Sequence, residues 1–162
     1  MSEAKTNAMR ILERKKISYI SHTYDCGGEF SDGLSIAETL GEDPSSVFKT
    51  LVTRGASKSY YVFVIPVACE LDLKKAARSV GEKSVEMIHV NEINSVTGYI
   101  RGGCSPVGMK KQFKTVFASQ ADNIEKILVS GGKRGLQIEL LPADLIAAVD
   151  GITADITMGE RV

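Results

Sequence analysis

A chain of 162 residues, 43% hydrophobic and 25% charged with only four prolines, has the composition of one ordinary globular domain, large enough to build a core without a metal or disulfide. Twenty basic residues balance twenty acidic ones, so net charge identifies no polyanionic partner and excludes a charged tail. Cys26, Cys69 and Cys104 are an odd set without a CxxC pair, and only His22 and His89 could join them. That argues against a disulfide framework or structural zinc and for a reducing compartment. With no apolar run of membrane-spanning length, the expectation is a cytoplasmic protein with no membrane contact, metal or cofactor.

Residues 3–16 place Ala4, Ala8, Ile11 and Leu12 on one side of a helical projection. Ser18–Tyr24 alternates as a strand, which the Gly27-Gly28 pair should interrupt. Ser35 and Glu38 form a capping box that opens a short helix ending at Gly41. Asp43-Pro44 repeats the start signal, and the chain then turns into a strand through Phe48-Lys49-Thr50-Leu51-Val52. Gly55–Lys58 reads as a hairpin connection into Tyr60–Pro66, whose two apolar faces imply a central strand. Asp72 caps a helix to Val80, Val85–Val90 reads as a strand and Asn91–Val96 as a short helix. The glycine-rich segment Gly98–Gly108 follows. After it come a strand over Lys114–Ser119, a helix or helix-strand step over Asn123–Val129, a Gly131–Gly135 turn, a strand over Gln137–Leu141, a helix over Pro142–Val149 and a strand near Ile152–Ile156. This interleaving predicts a single α+β domain over residues 1–162, compact, with a mixed, partly barrel-like sheet flanked by helices.

Chemistry concentrates in the segment from Gly98 to Gly108. Its four glycines let backbone amides approach a ligand, whether carboxylate, phosphate or developing oxyanion, while Pro106 restricts the loop. It has neither P-loop nor GxGxxG spacing, and the bland alternative is a tight turn with a buried cysteine. No acidic residue falls between Glu92 and Asp122, whereas Arg101, Lys110, Lys111 and Lys114 do. Such a cluster suits phosphate, or simply a solvated rim. Lys49, framed by Val47-Phe48 and Thr50-Leu51-Val52, either reaches into a pocket or snorkels out of one. Neither Cys104 nor Ser105 stands in a nucleophile motif, and His22 fits a site wall or a surface equally well.

Three separated blocks carry a resemblance: Val47-Phe48-Lys49-Thr50-Leu51, the segment Gly98–Gly108, and Gly131-Gly132-Lys133-Arg134-Gly135-Leu136-Gln137-Ile138 leading to Pro142-Ala143-Asp144-Leu145. Together they resemble the YbaK/EbsC family of aminoacyl-tRNA deacylases, relatives of the editing domain of bacterial prolyl-tRNA synthetases. The resemblance covers nearly the whole chain. It implies removal of mischarged cysteine from tRNA(Pro), and of cysteine from Cys-tRNA(Cys), with the substrate's own thiol cleaving the ester. It also implies aminoacyl-tRNA, especially Cys-tRNA(Pro), and prolyl-tRNA synthetase as partners.

The family's lysine falls on Lys49, with Gly102 and Gly103 beside it in the catalytic role. Gly98, Tyr99, Arg101, Cys104, Ser105, Pro106, Gly108, Lys110 and Lys111 fall about the substrate, and His22, Tyr24 and Phe30 on the pocket wall. Where many relatives have an acidic residue, this chain reads Ala118-Ser119-Gln120. The alternatives are an Ala-tRNA(Pro) deacylase working through an activated water, a non-catalytic module binding tRNA or a synthetase, and a ligand-binding domain for nucleotides or small metabolites.

Overall fold

The computed structural model describes residues 5–26 and 32–158; Phe30 and the Gly27-Gly28 pair lie outside them. In chain order the elements are α1 (Asn7–Arg14), β1 (Ile20–Thr23), α2 (Gly33–Leu40), β2 (Phe48–Gly55), β3 (Tyr60–Pro66), α3 (Leu73–Ser79) and β4 (Val85–Met87). They continue with α4 (Ile93–Thr97), β5 (Lys114–Ala118), β6 (Ile127–Ser130), β7 (Leu136–Leu140), α5 (Pro142–Ala148) and β8 (Ile152–Ala154).

The strands form two sheets, one ordered β1-β7-β6 and the other β4-β2-β3-β5-β8. The first is antiparallel throughout. The second is mixed, since β3 pairs antiparallel with β2 while β5 pairs parallel with both β3 and β8. β3 is central, and its Val62, Phe63, Val64 and Ile65 are all fully buried, as an apolar run on both faces requires. The α+β class and mixed sheet agree with the sequence. A barrel-like closure is not seen among the described residues: β4 and β8 remain the two edges of the larger sheet, and the two sheets meet where β6 lies against β2, next to a parallel bridge between Val47 and Leu128.

Local chemistry moves two element boundaries. α2 starts at Gly33 because Asp32, ahead of the expected capping box, accepts a hydrogen bond from the Ser35 amide at 2.8 Å. A carboxylate at a helix N-terminus satisfies an orphan amide and meets the positive end of the dipole; the backbone hydrogen bond from Ser35 is the main reason the Asp32 pKa is lowered. The expected step over 123–129 becomes a 3-10 turn, Ser119–Asn123, followed by β6. A short aliphatic run such as Ile127-Leu128-Val129 is ambiguous by periodicity, and pairing with β7 decides it. No helix among the described residues is long and apolar enough to cross a membrane.

Candidate active site

β2 pairs with β3 along Phe48–Arg54, but with β4 only at Thr53–Gly55. Over Phe48–Val52 its other edge therefore carries no strand ladder among the described residues, and β6 of the smaller sheet lies against β2 next to the Val47–Leu128 bridge. A cavity of about 560 Å³ opens at this seam, within the size range of small-ligand sites. β2 supplies Phe48, Lys49, Thr50, Leu51 and Val52, and α2 with its cap supplies Asp32, Gly33, Leu34 and Ile36. The glycine-rich loop adds Arg101, Gly102 and Cys104, and the smaller sheet adds Ser130 and Gln137.

Lys49 thus lies on the cavity wall, in register with Ile65 of β3. Beside it, the Thr50 hydroxyl and the Gln137 carbonyl Oε1 are buried without a hydrogen-bond partner among the described residues. Gln137 is only 4% exposed, and an unpaired buried acceptor costs about 1–3 kcal/mol. Two such atoms in one cavity mark positions where a ligand or water restores the missing bonds. The sequence reading missed both. Their signal was a neutral polar side chain flanked by apolar residues in a short strand, Thr50 in Phe48–Val52 and Gln137 between Leu136 and Ile138.

The loop reaches the cavity at three residues, and much of the remainder holds it in shape. The buried Tyr99 hydroxyl donates to the Val107 carbonyl at 2.7 Å, and the fully buried Ser105 hydroxyl accepts from the Val107 amide at 3.2 Å. Gly98, Gly102 and Gly108 all have positive φ, which glycine adopts without steric cost. Gly103 packs so closely that a Cβ there would stand 2.8 Å from the Lys133 Cα; its amide donates to the Ile100 carbonyl at 2.9 Å. That bond occupies the Gly103 amide, so within the expected pair Gly102 is the one that faces the cavity.

The N-terminus of α1 braces the same region, Thr6 donating to the Gly131 carbonyl at 2.5 Å and Asn7 to the Gly108 carbonyl at 2.7 Å. Arg134 ties the far side, its Nε donating to the Arg101 carbonyl at 2.7 Å. Burial pushes the Cys104 thiol up to about 11, against a smaller opposing effect of a hydrogen bond with Thr97, so the thiol is protonated at neutral pH.

Other expected site residues lie elsewhere. His22 pairs with Glu139 at 2.9 Å, and the Tyr24 amide donates to the Gly135 carbonyl at 2.9 Å; neither side chain lines the cavity, and nor do Pro106, Lys110 or Lys111. Lys110 Nζ instead approaches the Ser95 carbonyl at 3.5 Å, and Lys111 is exposed. Gln120, in the segment without an acid, donates from Nε2 to Thr157 at 3.1 Å away from the cavity.

His22, Glu42 and Glu139 bring donor atoms within 4.8 Å of one another, a spacing a divalent ion could bridge. Positive charge is already supplied there by Lys126, whose ammonium lies 2.7 Å from Glu42 and 3.6 Å from Glu139.

Comparison with known proteins agrees with this architecture. Residues 34–148 match the aminoacyl-tRNA editing domain model. The chain is 46% identical over 159 residues to EbsC of Enterococcus faecalis, a candidate Cys-tRNA(Pro)/Cys-tRNA(Cys) deacylase, covering 98% of this chain and 97% of that protein. It is 28% identical over 109 residues to the uncharacterized YwhH of Bacillus subtilis, covering 67% of this chain and 69% of YwhH. Among solved structures, a candidate trans-editing enzyme for prolyl-tRNA synthetase shares the fold with a TM-score of 0.80 at 22% identity, covering 97% of this chain and all (100%) of that one. The matched span takes in α2, β2, the glycine-rich loop and the two strands that line the cavity, and the chain belongs to the YbaK/EbsC family of aminoacyl-tRNA editing domains.

Proposed function

We propose that the chain is a trans-editing deacylase that frees cysteine from Cys-tRNA(Pro), and from Cys-tRNA(Cys), by letting the substrate's thiol attack its own ester. The observation that carries this reading is the composition of the cavity wall: a lysine and a glycine-rich loop without a nucleophile-base pair. Among the described lining residues there is no histidine, and the carboxylate of Asp32 accepts a hydrogen bond from the α2 backbone. The Cys104 thiol, pushed up to about 11, is a poor nucleophile at neutral pH. A site so equipped suits a substrate that brings its own nucleophile, because holding thiol and ester together replaces a bimolecular step with an intramolecular one.

In this mechanism the cysteinyl sulfur, losing its proton, bonds to the ester carbonyl carbon. The tetrahedral intermediate then expels the terminal ribose oxygen, which takes up a proton. The products are a cyclic thiolactone and tRNA with its hydroxyl restored. Lys49 holds the terminal ribose-phosphate and the ester in place, and the Gly102 amide meets the developing oxyanion. Arg101 at the cavity, with Lys110 and Lys111 farther out, offers positive charge to the acceptor-end phosphates. Identity of the tRNA is then read largely by prolyl-tRNA synthetase acting as a partner.

The orphaned Thr50 and Gln137 atoms favour a second reading, in which they hold a water that hydrolyses alanine from Ala-tRNA(Pro). A panel of Cys-tRNA(Pro), Cys-tRNA(Cys), Ala-tRNA(Pro) and Ser-charged tRNA separates the two. Cysteine is expected to leave fastest, and equal or faster loss of alanine establishes the water mechanism instead. Protection of every ester would mark a binding module.

A further inference from the structure

α2 is the helical wall of the cavity, yet its attachment is slight. Its buried Ala37 belongs to a small cluster with Val47, Val67 and Leu128, separate from the main core. At its start Gly33 lies against Val67, where a Cβ would stand 2.3 Å from the Val67 Cγ1. At its end Gly41 takes a left-handed conformation, φ 68°, and turns the chain so that the Glu42 amide donates back to the Ala37 carbonyl at 2.9 Å. That turn delivers the Glu42 carboxylate to Lys126, 2.7 Å away.

Lys126 immediately precedes β6, the strand that carries Leu128 beneath α2 and Ser130 at the cavity. The same ammonium lies 3.6 Å from Glu139 of β7, which is held in turn by His22 of β1 at 2.9 Å. Glu42–Lys126–Glu139–His22 is therefore a polar clasp running from the end of α2 across all three strands of the smaller sheet. Glu139 and Gln137 project from the same face of β7, and His22 is in register with Gln137. The clasp thus ends next to a side chain that lines the cavity.

Both carboxylates are largely shielded, with side chains 15% and 16% exposed for Glu42 and Glu139. A network of this kind holds better than an isolated surface pair. A helix of eight residues is only about 12 Å long, so a shift at its Glu42 end displaces Leu34 and Ile36 at the cavity.

From this geometry we propose that Lys126 is a positioning residue for amino-acid selectivity: by clasping Glu42 and Glu139 it fixes how closely α2 approaches the smaller sheet, and so how large an amino-acid side chain the cavity admits. The proposal rests on the editing function above. Its test therefore uses binding, which is independent of ester cleavage. The probes are non-hydrolysable amide analogues of 3′-cysteinyl- and 3′-methionyl-adenosine, titrated against wild type, Lys126→Met and Lys126→Arg.

Lys126→Met should narrow the preference for the cysteinyl over the methionyl analogue by up to about five-fold and speed amide exchange in α2 without altering β2. Lys126→Arg, which keeps the charge, should restore both. An unchanged binding ratio in Lys126→Met overturns the proposal, as does equal narrowing in Lys126→Arg or unchanged exchange in α2. Wild type that binds neither analogue overturns the proposal together with the function it rests on. Binding with the expected change but no ester loss from any charged tRNA overturns the function alone.

Discussion

β2 and the glycine-rich loop face the same cavity but are built on opposite plans. β2 contributes five consecutive residues, Phe48 to Val52, from a strand fixed by a continuous ladder to β3. The loop contributes only Arg101, Gly102 and Cys104, and secures them with side chains that do not line the cavity, such as Tyr99 and Ser105. On the strand, one side chain can change without moving its neighbours. In the loop, conformation and function are the same property, so substitutions there act through shape.

The largest expected effect is on the strand. Lys49→Ala should lower single-turnover loss of cysteine by roughly 10²–10³ if Lys49 stabilises the transition state directly, with a melting temperature close to wild type. A loss confined to weak binding, recovered at saturating substrate, would assign it to phosphate anchoring; near-normal activity would remove it from the site.

Next is the loop. Gly103→Ala places a Cβ against the backbone of Lys133 and Arg134, where no flexible side chain can give way. It should lose about 1–3 kcal/mol of stability as well as activity, and denaturant melts measure the first. Retained stability would mean that the loop yields more than its contacts suggest.

Gln137→Leu sharpens the comparison from the cavity floor. Removing the unpartnered Oε1 should raise folding stability by about 1 kcal/mol while reducing deacylation, the trade expected of a polar atom kept for a ligand. Improved stability with unaltered activity would make the orphan incidental.

The smallest effect is expected from Cys104→Ala, which should keep most of the catalytic rate if the substrate thiol is the nucleophile. It should, however, change the alkaline limb of the stability curve. The thiol pKa is raised from 9.0 in the reference state to about 11 in the fold, so the native state holds this proton more tightly. The resulting stability is complete below pH about 9 and is lost as pH rises through about 11. Tyr99, pushed up to about 12 mainly by burial and further by Cys104, titrates nearby, so the difference between wild type and Cys104→Ala reports the thiol together with its coupling to Tyr99. Identical alkaline melts would contradict its burial.

Much of the fold was legible because its signals are local. Apolar runs announced β2 and β3, Gly41 stopped α2, and Asp72 capped α3 with hydrogen bonds to the amides of Lys74 and Lys75. What sequence could not supply was which faces meet. Periodicity cannot show that β1 and β7 pair, so His22 appeared free to line a pocket when its partner is Glu139. The same blindness hid Gln137, whose significance depends on lying across the seam from β2, and grouped Lys110 and Lys111 with Arg101 although only Arg101 reaches the cavity. Composition marked the glycine-rich loop as permissive; it could not say which of its amides the loop itself would occupy.

Placing the cavity at the seam between two sheets also orders its birth. His22 and Glu139 are 117 residues apart, and Ser130 and Gln137 emerge from the ribosome long after Lys49. A nascent chain can pair β2 with β3 early, because that contact is local, but it has no cavity floor until β6 and β7 follow. Premature termination before Ser130 therefore yields a lysine on a strand and no chamber around it. The chamber that an editing domain needs exists only once β6 and β7 have joined the strand that carries Lys49.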